Sequence, residues 1–218
     1  MAENKNVNAP VEATEEEQLI ESEILRVKYQ QLKAQVNPHF LFNSLNILTS
    51  LINSNPHKAT EFTKKLASIY RYLLSNDKQD VVLLSEELKF AQQYAQILNI
   101  RYGEGIKINI PQATDVSILS MRIIPTALQI LIENACKHNI ISTTDPLTIN
   151  IVPIPKKEFF EVTNTTRFEY NAQRISKTRY FKGLKEKYTI IANKEIKIKQ
   201  TDTIFSVSIP LLTRHEIA

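Results

Sequence analysis

With 218 residues, 43% hydrophobic and 23% charged side chains, the chain has the makeup of an ordinary globular protein holding one large or two small domains. It lacks a run of about 18 apolar residues, so no bilayer-spanning helix is expected; the acidic start does not look like a secretory signal, and the lone Cys136 excludes an internal disulfide and agrees with a reducing cytoplasm. The formal charge of +4 conceals an acidic start, with seven acids against Lys5 in residues 1–23, and a basic end, with 13 basic against seven acidic side chains in residues 156–218.

That basic end does not read as a nucleic-acid surface. Its lysines alternate with apolar residues, as in Ile196-Lys197-Ile198-Lys199, the pattern of the wet face of a strand. Three glycines, Gly103, Gly105 and Gly183, cannot build a glycine-rich phosphate loop.

Residues 1–14 are polar, acidic and aperiodic, which predicts a disordered leader or the join to an upstream segment. From Glu15 the apolar spacing turns helical through Leu19, Ile20, Ile24, Val27, Gln31 and Ala34. Pro38 lacks an N–H and crowds the preceding turn, so a kink or restart is expected at Asn37 to His39. Beyond it Leu41, Leu45, Leu48 and Ile52 form an apolar ridge, and His39 lies on a narrow polar stripe with Gln35, Asn43 and Asn46. Asn53-Ser54-Asn55-Pro56 predicts a turn, and a helix follows from about Lys58 to Ser75 on Phe62, Leu66, Ile69, Tyr70, Leu73 and Leu74. A helical hairpin alone buries too little surface to be stable, and a dimer giving four helices remedies that.

Ser85-Glu86-Glu87 predicts the start of a third helix, with Ser85 as cap, that runs to Gly103. Ile106–Ile110 alternates as a strand, Pro125 suits a first helical turn, and a fourth helix is expected over about Thr126 to His138. Strands are then expected at Leu147–Val152 and Glu158–Thr163, joined by a Pro153-Ile154-Pro155 bend. Residues 172–192 read as partly helical around Gly183–Ile191, and Glu195–Gln200 with Thr203–Leu211 read as a closing hairpin. The second unit is thus a mixed sheet with helices on one face.

Two places carry polar groups that apolar helices do not need. On the fourth helix, Glu133, Asn134, Lys137 and His138 interrupt a buried face of Leu128, Leu131, Ile132 and Ala135. An asparagine oxygen is a hard ligand suited to Mg²⁺, which keeps waters and phosphates in its shell; the plain alternative is helix-end polarity with a Glu133–Lys137 surface pair. His39 is either hydrogen-bonded filler or a neutral imidazole competent for phosphoryl acceptance. Asn43, one turn on, is spaced to hold its ring tautomer.

Asn37-Pro38-His39-Phe40-Leu41-Phe42-Asn43-Ser44-Leu45-Asn46, then Leu84-Ser85-Glu86-Glu87-Leu88 with Tyr94 and Arg101, then Pro125 and Glu133-Asn134-Ala135-Cys136-Lys137-His138, together resemble successive blocks of the LytS-type sensor histidine kinases. The resemblance is strong over about residues 30 to 140. It implies an α+β chain: an N-terminal two-helix dimerisation and phosphoacceptor hairpin over residues 15–78, a four-helix bundle in a dimer, followed over residues 79–218 by an α/β-sandwich ATP-binding domain of the gyrase/Hsp90/histidine-kinase type. It further implies His39 as phosphoacceptor, with Asn43 and Glu133 as its catalytic companions. Asn134 would be the Mg²⁺ ligand, with Lys137 and His138 beside the ATP phosphates and Asn164 at the adenine. The implied partners are a second copy of the chain and a response-regulator aspartate, and the implied location is cytoplasmic, as the cytoplasmic portion of an inner-membrane sensor or without one.

The chain departs from that pattern at its glycines. Where the family carries Asp-x-Gly-x-Gly, this chain has Asn164-Thr165-Thr166-Arg167-Phe168. The ungapped alignment of the later Gly-x-Gly-Leu segment sets Thr178 and Tyr180 at its glycines, and a gapped one keeps Gly183-Leu184. A catalytically impaired pseudokinase acting as a dimeric interaction module therefore stands beside the kinase, and the basic end leaves a third, weaker reading, a scaffold with a basic patch for nucleic acid.

Overall fold

A computed structural model describes residues 38–76, 78–111, 116–154, 158–166 and 181–216. The helix expected from Glu15, the bend at Asn37, and residues 167–180 lie outside the described residues. The chain divides into two compact units, residues 1–43 and 44–218, and the packing below belongs to the second.

Asn55 alone separates the first two helices, α1 (Pro38–Ser54) and α2 (Pro56–Ser75). Its side-chain oxygen accepts the Lys58 N–H at 3.0 Å, and Pro56 follows at the first helical position. Both features satisfy or remove donors that a helix start leaves orphaned. The expected four-residue turn therefore shrinks to one residue. Helix α2 buries Ala59, Phe62, Leu66 and Ile69, whereas Leu74, expected on the same stripe, is 59% exposed.

Helix α2 packs on α3 (Leu84–Tyr102). That third helix buries Leu84, Leu88, Phe90, Ala91, Tyr94, Ala95, Ile97 and Leu98, too many positions for one stripe, which marks a helix covered on several sides. Its start corrects the sequence reading. Leu83, not Ser85, occupies the cap position, and the Glu86 carboxylate reaches back to accept the Leu83 N–H at 3.3 Å. The helix ends at Gly103, whose φ of 55° lies in the left-handed region where a glycine has no Cβ penalty.

The sheet has five strands in the order β2-β4-β5-β7-β6, where β2 is Ile106–Asn109, β4 Leu147–Ile154, β5 Phe159–Thr165, β6 Lys197–Gln200 and β7 Ile204–Pro210. Only β2 and β4 run parallel; the remaining neighbours are antiparallel. Ile106, Leu147, Ile149, Ile151, Phe160, Val162, Phe205, Val207 and Ile209 line its buried side. Helix α5 (Ala127–Lys137) lies across β4 and β5. Phe181, next to α6 (Lys182–Ala192), stacks on Phe205 of β7 at 6.2 Å between ring centres.

Pro153 was expected in a bend; it lies instead within β4, opposite Phe160. Among the described residues that strand pairs past Asn150 with β5 only, and where a strand has one partner a missing donor is tolerated. Several small elements among the described residues were not expected. The helical turn α4 (Val116–Leu119) precedes a two-residue pairing of β1 (Val82–Leu83) with β3 (Arg122–Ile123). Arg122 also exchanges both backbone hydrogen bonds with Leu212 at 2.8 Å, so the starts of α3 and α5 meet beside the end of the sheet. Among the described residues no helix is long and apolar enough to cross a membrane.

Candidate functional site

Helix α5 begins oddly. Thr126 precedes it at φ 65° and makes no side-chain cap, and Pro125, expected in the first turn, stands before that cap position. What holds this end is Glu87 from α3. Its Oε1 accepts the Leu128 N–H at 2.9 Å and its Oε2 accepts the Thr126 N–H at 3.0 Å. A carboxylate there satisfies two orphan donors and faces the positive end of the helix dipole.

From that anchored start, α5 carries three of the predicted residues and is capped by a fourth, His138. Leu128, Leu131, Ile132 and Ala135 are buried as expected, and Asn134 is buried with them at 2% exposure. Its Oδ1 has no hydrogen-bond partner among the described residues. A buried amide oxygen left without a donor costs on the order of 1–3 kcal/mol, and a hard cation would satisfy it, so the donor present fits Mg²⁺. Lys137 is exposed and His138 half-buried at the helix end, where the His138 N–H donates to the Asn134 carbonyl at 3.1 Å.

Glu133 is neighbour to Asn134 but is held differently. Its Oε1 accepts the Tyr94 hydroxyl at 2.8 Å and the Gln129 amide at 2.9 Å. Tyr94 is buried and Gln129 nearly so; burial, then the Glu133 charge, push the Tyr94 phenol well above its ordinary value. Burial likewise pushes the Cys136 thiol up to about 12, which keeps it protonated and unreactive. The Gln129–Glu133 spacing of four was a usable signal for this contact, whereas the Tyr94 contact, arriving from another helix, was not.

Asn164 lies at the buried side of β5, opposite Ile149 on one flank and Phe205 on the other. Its amide donates to the Thr165 carbonyl at 2.7 Å, which leaves part of its polar edge for a ligand. Of the glycine-poor segments, Arg167, Phe168, Thr178 and Tyr180 lie outside the described residues. Gly183 is the second residue of α6, and a Cβ there would meet nothing within 4 Å, so no neighbour among the described residues requires a glycine at that position. A cavity of about 350 Å³ opens between α2 and α3, lined by Arg71, Tyr72, Glu86, Lys89 and Phe90 among others; none of the predicted site residues lines it.

His39 and Asn43 are both helical on α1 and belong to the unit of residues 1–43. The His39 side chain lies outside the described residues. The fold thus gathers Glu133, Asn134 and Lys137 on one helix, with His138 as its C-terminal cap, against β5, which carries Asn164.

Residues 27–106 match the model of the histidine kinase family. The chain is 35% identical over 126 residues to the sensor protein LytS of Oceanobacillus iheyensis, covering 57% of this chain and 21% of that protein. It is 34% identical over 119 residues to the sensor histidine kinase/phosphatase LytS of Staphylococcus aureus strain MRSA252, covering 54% of this chain and 20% of that protein. The chain spans about a fifth of the length of these curated relatives.

Proposed function

Given that the matched part of the chain belongs to the LytS-type sensor histidine kinases, we propose that it autophosphorylates on His39 with Mg-ATP and passes the phosphoryl group to an aspartate of a response regulator. The family match covers His39, and one structural observation supports the nucleotide side: the buried Asn134 oxygen, which has no donor among the described residues. When bound, Mg-ATP supplies the transferable γ-phosphoryl group and its charge neutralisation. The chain's own residues have simpler tasks. Asn134 would offer a hard oxygen to Mg²⁺, Lys137 and His138 would stand beside the phosphates, and Asn164 would hold the adenine.

Residues 15–78 serve in this reading as dimerisation hairpin and residues 79–218 as ATP-binding domain, acting in the cytoplasm where ATP is available. His39 would accept the γ-phosphoryl group as the neutral imidazole, the bond from phosphorus to the β,γ-bridging oxygen breaking and ADP leaving, with Asn43 one turn away to fix which ring nitrogen carries the proton. Glu133, its carboxylate ordered by Tyr94 and Gln129, is the acidic group next to the metal ligand. Phosphoryl transfer depends mainly on such positioning and charge placement.

The test is transfer of radiolabelled phosphate from ATP. The expected product is an alkali-stable, acid-labile label on the wild-type chain that disappears in His39→Gln; no label at any Mg²⁺ concentration sinks the kinase reading. The absent glycines at Thr166 and Phe168 favour a second reading, a pseudokinase that dimerises and binds a signalling partner. Calorimetry with a non-hydrolysable ATP analogue separates the two, because Mg-dependent binding lost in Asn134→Ala counts against the second.

A further inference from the structure

Glu87 has no task in the chemistry above, yet it is fully buried and joins three elements. From α3 it holds the start of α5 through the Thr126 and Leu128 N–H groups. From α2 its Oε2 accepts the Tyr72 hydroxyl at 2.5 Å. Tyr72 cannot swing freely, because its ring stacks on Phe90 with 4.1 Å between centres and 13° between planes.

We propose that Glu87 is a positioning residue through which α2 sets the start of α5, and with it the placement of Asn134. The metal-ligand role of Asn134 in that statement rests on the nucleotide reading above; the link between α2 and α5 does not. The left-handed backbone at Thr126 is one a β-branched residue adopts only when its surroundings hold it there, and the Glu87 bond to its N–H is part of that hold. Asn134 lies six residues beyond Leu128 on a helix packed along Leu128, Leu131, Ile132 and Ala135, about 9 Å along the axis. A helix fixed on that face carries a shift at its start to Asn134 rather than absorbing it.

The carboxylate form makes all three bonds, so the link has a protonation dependence. Burial pushes the Glu87 carboxyl up to about 7, against the lowering effect of the Tyr72, Leu128 and Thr126 donors. The titratable groups bearing on it are Tyr72 from α2 and Tyr188 from α6, with Glu86 on its own helix acting on Tyr72. On α5, Glu133 and Cys136 lie against Tyr94 instead.

Two measurements on the full chain test this: calorimetric titration with Mg²⁺ and a non-hydrolysable ATP analogue from about pH 6 to about pH 8.5, and hydrogen exchange of the α5 amides. Tyr72→Phe keeps the ring and removes only the hydroxyl. It is expected to weaken nucleotide binding about tenfold near neutral pH, to move the midpoint of the pH profile upward, and to speed α5 exchange about tenfold while β5 and β7 stay protected. Glu87→Gln is expected to flatten the pH profile. Wild-type affinity, pH profile and α5 exchange in Tyr72→Phe overturn the proposal, and so does faster exchange spread evenly over the sheet, which is the mark of lost global stability. A wild-type chain that binds no nucleotide, with α5 exchange still answering selectively to Tyr72→Phe, sinks the nucleotide reading and supports the link.

Discussion

Glu87 shows how far one side chain's environment departs from its sequence context. Read as the second acid of a first helical turn, it is a surface group complementing the dipole of its own helix. In the fold it is fully buried, capping a different helix. Because its folded-state pKa, about 7, stands above the ordinary carboxylate value of 4.5, the native chain binds a proton that the unfolded chain has already released. The stability contributed by that proton is complete below about pH 4.5 and is lost as pH rises through about 7, on the order of 3 kcal/mol in all. Urea denaturation across that range is expected to show a falling component in the wild type that Glu87→Gln lacks; identical pH dependence in the two proteins contradicts it. Asn134 illustrates the complementary case. Its type and spacing were legible in the sequence, and its buried oxygen, without a donor among the described residues, appears only in the fold.

Among the elements, strong apolar period identified the helices and weak local signals misplaced their ends. Phe62, Leu66 and Ile69 are buried as their spacing required. Ser85 failed as a cap because the short pairing of Val82 and Leu83 with Arg122 and Ile123 sets where α3 begins, and two-residue strands have no period to read. Asn55 is the opposite instance, a turn asparagine that proves to be a true cap. Asn55→Ala is expected to cost about 1 kcal/mol, read as a lowered thermal midpoint with unchanged far-ultraviolet dichroism; an unaltered midpoint would mean that Pro56 and packing hold this helix start by themselves.

At the scale of the molecule, the first helix leaves an apolar surface uncovered in a single chain. Leu45 is 44% exposed and Ile52 55%, and both lie on the predicted apolar ridge. Such a contiguous apolar face is characteristic of an association surface, which supports the proposed homodimer. Leu45→Glu combined with Ile52→Glu is expected to give a folded monomer in sedimentation, since burying the introduced charges against a second copy is costly; a double variant that remains dimeric places the interface elsewhere. The sequence by itself determined the long helices among the described residues and the alternation of the long strands, because apolar period is a local property, while His39, Asn134 and Asn164 became candidates through the resemblance that their motifs carry. Only the tertiary structure decided which side chain caps α5, that Glu133 is held by Tyr94, that Pro153 stands within a strand, and that Tyr72 reaches the start of the Asn134 helix. Each of these depends on groups tens of residues apart meeting in a buried space, where burial and hydrogen-bond satisfaction override local preference.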